Sequence, residues 1–150
     1  ESLMYRSTPL AMEFCWKHRV EFGETDMAGI VHFTNYFRYM EMAEHAFLRS
    51  IGLSVHAEND GTVVSWPRLR AECSFKASLA FEDEVHVRLA VREKTDRTIT
   101  YDFRFFKDGE RLVATGSTTA ICVSIRGSER SMAAIPIPDW IHEKLGGEVA

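Results

Sequence analysis

Asp26 is the residue with the most chemistry open to it. It stands in Gly23-Glu-Thr-Asp-Met-Ala-Gly29, a stretch with two glycines, a Thr and an Asp and no regular period, which is the composition of a turn. Beyond it Phe33, Tyr36, Phe37, Met40, Ala43, Phe47 and Ile51 recur at three- and four-residue steps. That period predicts a helix, uninterrupted by Pro and closed by Gly52 as a left-handed residue. The first N–H groups of a helix have no partner within it, and its dipole makes that end electropositive. A carboxylate just before such an end can attack a carbonyl or deprotonate a water while the amides hold the developing oxyanion. The plainer reading of Thr25-Asp26 is an acceptor for local turn N–H groups. His32 near the helix start either touches an acyl group or a water, or caps and packs there. Glu41 and Glu44 fall on the narrow polar face of the helix, where ion pairs and solvent are the ordinary partners, with Glu41 a fallback acid.

The elements that must position these residues follow from the same patterning. Ile30, Val31, Tyr39, Met42, Ala46 and Leu48 lie off the main apolar stripe, so the helix is hydrophobic on most sides and needs to be surrounded. Glu13 to Phe22 alternates, with Phe14, Trp16, His18, Val20 and Phe22 on one side, and predicts a half-buried strand. Thr62 to Ser78 favours strand, with Pro67 marking an edge or a bulge. Val85, Val87, Leu89 and Val91 predict another strand, as do Ile99, Tyr101, Phe103 and Phe105. Lys107-Asp-Gly-Glu110 is a hairpin signal, and Arg111 to Ile125 forms the last strand. Ser54 to Gly61 reads as exposed, and the tail from Arg126 as loose, with a short helical turn at Trp140 to Leu145. The sum is one α+β domain: an antiparallel sheet with a long helix against its concave face.

Composition narrows the function classes. At 150 residues, 45% hydrophobic and 27% charged, the chain has the make-up of a soluble globular domain. No apolar run is long enough to span a bilayer, and the N-terminus lacks a signal-peptide layout, so a cytoplasmic protein without a membrane partner is expected. Cys15, Cys73 and Cys122 have no metal-type spacing and fall in expected strands, so buried reduced thiols are expected, with no metal and no cofactor. A net charge of −4 argues against a nucleic-acid partner.

Arg19-Val-Glu-Phe followed by Gly23-Glu-Thr-Asp-Met-Ala-Gly-Ile-Val-His-Phe-Thr-Asn-Tyr36 resembles the signature of the 4-hydroxybenzoyl-CoA thioesterase family of hotdog-fold proteins. Phe75-Lys-Ala-Ser-Leu-Ala-Phe-Glu-Asp-Glu-Val85 and Ala114-Thr-Gly-Ser-Thr-Thr-Ala-Ile-Cys-Val123 extend the resemblance, which covers about Glu13 to Pro138. It implies a hotdog fold, hydrolysis of an acyl-CoA thioester, Asp26 as the catalytic carboxylate, and the Phe33 N–H as the group that polarises the thioester carbonyl. It further implies homodimers joined edge to edge, commonly paired into homotetramers, with sites at the subunit boundary. His32 and Phe33 stand where the 4-hydroxybenzoyl-specific members carry residues such as Trp and Tyr, a departure that bears on the acyl group. Met27, Ile30 and Phe33 are expected to line the acyl pocket, and Asn35 and Tyr36 to line it or orient the loop. The CoA phosphates want cations; Lys94, Arg97, Arg126 and Arg130 are candidates, with Arg97 and Thr98 taken as substrate contacts. A non-catalytic acyl-CoA-binding module of the same fold is the competing reading. A dehydratase using His32 is a third, though the surrounding motif differs from theirs.

Overall fold

The computed structural model describes residues 13–59, 61–126 and 131–146. Strand β1 (Glu13–Arg19) leads through a short 3-10 turn (Phe22–Glu24) and the Asp26 loop into helix α1 (Thr34–Ser50). Strands β2 (Ala57–Asn59), β3 (Thr62–Ser65), β4 (Arg68–Phe75), β5 (Glu84–Lys94) and β6 (Thr98–Lys107) follow. After them come β7 (Arg111–Ile121), β8 (Val123–Arg126), β9 (Ser131–Ala134) and helix α2 (Asp139–Leu145). β1, β5, β6, β7 and β4 pair in that order as a five-stranded antiparallel sheet, and β2, β3, β8 and β9 form a second, four-stranded one. Among the described residues no helix is long and apolar enough to cross a membrane.

The period of two sends alternate side chains of β5 and β6 to one face. Val85, Val87, Leu89 and Val91, with Ile99, Tyr101, Phe103 and Phe105, are all buried there. Helix α1 lies on that face. Ring centroids of Tyr36 and Phe105 are 5.5 Å apart, those of Phe47 and Tyr101 6.1 Å, and those of Phe14 and Phe47 5.9 Å. These tilted and edge-on contacts suit the ring quadrupoles. The approach is close: a Cβ at Gly116 on β7 would meet Met40 Sδ at 2.6 Å, so the end of the Met40 side chain would have to move. The helix ends as expected, with Gly52 at φ 79° and the Leu53 N–H returning to the Leu48 carbonyl at 2.7 Å. The expected α+β architecture, a sheet wrapped round a long helix, is the one observed.

The departures have local causes. β1 stops at Arg19, and Phe22 is 74% exposed, because Glu21 and Glu24 cap one another's backbone and turn the chain. Cys15 is exposed on the outer side of the edge strand, and Cys73 is half-buried, so only Cys122 is the buried thiol expected. The expected strand 62–78 is two strands, since Pro67 has no N–H for the ladder and the chain passes there from the small sheet to the large one. The expected strand 111–125 breaks at Cys122, whose N–H goes to the Arg97 carbonyl at 2.7 Å. In the tail, Ser131–Ala134 pairs with β8, but its uniformly exposed side chains give no alternation to read.

Glu44 is the main correction. It is 1% exposed and faces the sheet rather than solvent, while Glu41 is exposed. Arg68 on β4 meets it with two bonds, Nη1 donating to Oε1 at 3.1 Å and Nη2 to Oε2. Burial pushes the Glu44 carboxyl above the usual range, and the Arg68 charge opposes that push. A raised carboxyl in the folded state means that the fold prefers Glu44 protonated, so its contribution is fully present at low pH and declines as pH rises. Arg68→Met removes the opposing charge. By urea titration it is expected to lower stability by about 3 kcal/mol near neutral pH, and by clearly less in acid, where a carboxyl raised by burial is protonated. An equal loss at both pH values would exclude the buried charge as the cause.

Candidate active site

The loop between the 3-10 turn and α1 is shaped by its own short polar groups. The Asp26 N–H donates to the Ile30 carbonyl at 2.8 Å, and the Gly29 N–H to the Asp26 carbonyl at 3.0 Å, closing a turn in which Gly29 takes φ 80°. Asp26 Oδ1 accepts the Ala28 N–H at 2.8 Å, so the local turn role of this Asp is real and occupies one carboxylate oxygen. Val31 then donates to the Leu79 carbonyl at 2.8 Å, and Ile30 bridges to Ala80. These bonds fasten the loop to the segment between β4 and β5.

Where the two segments meet there is a cleft of about 380 Å³ lined by Asp26, Ile30, Val31, Phe33 and Tyr36 on one side and by Phe75, Lys76, Ala77 and Ser78 on the other. Phe33 immediately precedes α1 with helical backbone angles and makes no side-chain cap of its own, while His32 Nδ1 accepts the Thr34 N–H at 3.3 Å. The Phe33 N–H makes no hydrogen bond among the described residues. The cleft therefore brings together a carboxylate, an uncommitted amide at an electropositive helix end, and aromatic walls. Tyr36 is buried, and burial, with Cys73 adding to it, pushes its hydroxyl up to about 12, so it stays protonated and able to donate.

The expected site residues divide by location. Asp26, Ile30, Phe33 and Tyr36 share the cleft. His32 is not among its lining residues; its ring lies against Phe33 at 4.8 Å, and Nδ1 is 2.7 Å from the Thr34 hydroxyl. Asn35 turns back, donating from Nδ2 to the Glu24 carbonyl at 2.8 Å, which orients the loop. Met27 is fully exposed and does not line the cleft. His18, on the apolar side of the strand read from 13 to 22, is stacked on Trp16 and bonded to Glu24.

Arg97 and Thr98 lie elsewhere in this chain. They follow the far end of β5, whose near end, Glu84, pairs with Arg19 beside the loop. The strand runs 11 residues between those ends, roughly 30 Å at the usual strand rise. Arg97 is exposed beside Asp96, and Thr98 bonds to Thr95. Lys94 is 2% exposed, its Nζ without a partner among the described residues, so it does not reach solvent for a phosphate. Arg126 is exposed at the end of β8, and Arg130 lies outside the described residues. Conversely, the Phe75–Ser78 wall was not anticipated. Its only sequence signal was its place at the head of the second resembling stretch, and Lys76 is the one cation the cleft acquires from it.

Comparison with known proteins gives the family. Residues 20–145 match the thioesterase-like superfamily. A protein of Aquifex aeolicus is 38% identical over 135 residues, covering 89% of this chain and 98% of its own length. A 1,4-dihydroxy-2-naphthoyl-CoA hydrolase of Prochlorococcus marinus is 28% identical over 138 residues, 86% of this chain and 87% of that protein. Among solved structures, a gentisyl-coenzyme A thioesterase aligns with a TM-score of 0.71 at 31% identity, over 85% of this chain and 98% of that one. The match runs through the loop, the helix and every strand of the large sheet but the first, and the chain belongs to the thioesterase-like superfamily, with a hotdog fold.

Proposed function

We propose that the protein hydrolyses an aromatic acyl-CoA thioester to the free acid and CoA, with Asp26 as the reacting carboxylate and the Phe33 N–H as the oxyanion donor. One observation carries this reading: Asp26 and the head of α1 face the same cleft. The thioester carbonyl oxygen, placed at the Phe33 amide, takes on negative charge as the carbonyl carbon is attacked, and a fixed N–H aimed at it stabilises that charge. In the direct route an Asp26 oxygen forms the new bond, the C–S bond breaks, and the CoA thiolate leaves and takes up a proton. Water then cleaves the mixed anhydride, returning Asp26 and releasing the acid. In the alternative route Asp26 takes a proton from water as the water oxygen bonds to the carbonyl carbon, the C–S bond breaks, and the leaving CoA thiolate takes up that proton. Thiolate is a good leaving group, so one carboxylate and one amide are adequate machinery for either.

The aromatic acyl class is supported by the walls: Phe33, Tyr36 and Phe75 offer ring faces and edges to a planar group. The Prochlorococcus relative and the gentisyl-CoA enzyme both act on aromatic acyl-CoAs by name. His32 in this reading shapes the helix head rather than moving a proton. Arg97 and Thr98 reach a CoA only from a second copy, in keeping with a homodimer or homotetramer whose sites sit at the subunit boundary. The open edge of β4 in the large sheet is available for such pairing.

Thiol release from a panel of aromatic, short aliphatic and long aliphatic acyl-CoAs tests the assignment. Aromatic members are expected to turn over fastest, and Asp26→Asn to lower kcat by about 1,000-fold or more with binding retained. Tight binding with no turnover of any member, in wild type and variant alike, would favour a binding module instead. Lys76→Met is expected to raise KM several-fold while kcat holds, because Lys76 is the cation lining the cleft and would meet the anionic CoA portion; an unchanged KM would remove Lys76 from substrate binding.

A further inference from the structure

We infer that Glu24 is a positioning residue for the reaction, holding Asp26 and the helix head in register by tying the loop to both β1 and α1. This role rests on Asp26 being the reacting carboxylate. Six contacts converge on the carboxylate and the backbone carbonyl of Glu24. Its Oε1 accepts the Tyr39 hydroxyl at 2.9 Å and the Glu21 N–H at 2.8 Å, and lies 2.9 Å from His18 Nε2, with Oε2 at 3.2 Å from the same nitrogen. Its backbone carbonyl accepts the His32 N–H at 2.9 Å and Asn35 Nδ2 at 2.8 Å. The partners come from the strand before the loop, the turn, the last residue before Phe33, and the helix itself. Asp26 is two residues away along the chain, and Phe33 is next to His32.

The surroundings set this acid apart from a surface one. The side chains of Glu24 and His18 are each only 17% exposed, and the His18 ring packs between Trp16 and Tyr39 with centroids 5.0 Å from each. Burial pushes the Glu24 carboxyl up, but the Glu21 N–H, His18 and the Tyr39 hydroxyl outweigh it and leave the group below its ordinary value. Burial, and then the Glu24 charge, push the Tyr39 hydroxyl far up, so it stays a donor. Charge-assisted bonds of this kind are short and directional. They suit a task in which a shift of about 1 Å in the reacting group costs on the order of 100-fold in rate.

The test compares Glu24→Ala, Glu24→Gln and Tyr39→Phe, each in the full chain and each also combined with Asp26→Asn, by steady-state thiol release from the preferred acyl-CoA. Glu24→Ala is expected to lower kcat by about 100-fold with KM within about twofold. Glu24→Gln, which keeps an acceptor for Tyr39 and Glu21, is expected to recover about tenfold of that loss. In the Asp26→Asn background Glu24→Ala is expected to change the residual rate by less than about threefold, because the carboxylate that it positions is gone. Should Glu24→Ala fail to fold, Tyr39→Phe carries the comparison, with an expected fall of about fivefold in kcat. Wild-type kcat in a folded variant would overturn the role, and so would an equal fold-loss with and without Asp26. Wild-type turnover by Asp26→Asn alone would instead overturn the catalytic reading of Asp26, and the role of Glu24 with it.

Discussion

The packing of α1 on the concave face of the large sheet is the contact on which the rest depends. Tyr36 and Phe47 meet Phe105 and Tyr101 of β6, Tyr39 meets Trp16 and His18 of β1, and Gly116 of β7 leaves Met40 room to sit. A helix docked this way has its inner face committed to the core, and among the described residues the Phe33 N–H at its head is left without a partner. That end carries the partial positive charge, and the loop that must enter it carries Asp26. The chemistry of the site is thus a by-product of where the core places a helix terminus.

The loop has few apolar contacts of its own, since Phe22, Met27 and Phe33 are exposed. It is held by polar bonds: Glu24 to β1 and α1, and Val31 and Ile30 to the Leu79–Ala80 backbone. A segment fixed this way can present aromatic side chains and a carboxylate to a ligand without burying them in the core. The exposed rings at the cleft mouth are available to an acyl group or to a second copy of the chain.

Much of this was legible along one dimension. Asp26, Ile30, Phe33 and Tyr36 follow one another within a turn and the first turn of a helix, so local composition and period were enough to group them. Strands β1, β5 and β6 were readable for the same reason, each carrying its own alternation. What stayed hidden depends on contacts between distant segments. Lys76 and Phe75 join the cleft only because the chain after β4 returns to pair near Leu79. Glu24 finds Tyr39 only once the helix is docked. Glu44 was misplaced because a helix apolar on nearly every side gives no contrast by which to tell its inner face; its partner, Arg68, comes from β4.

The most direct test of the account is a structure of Asp26→Asn bound to an intact aromatic acyl-CoA. The account predicts the thioester carbonyl oxygen within hydrogen-bond reach of the Phe33 N–H, the carbonyl carbon facing residue 26, and the ring against Tyr36 and Phe75. An acyl group seated away from the helix head, with the Phe33 amide facing solvent, would contradict it.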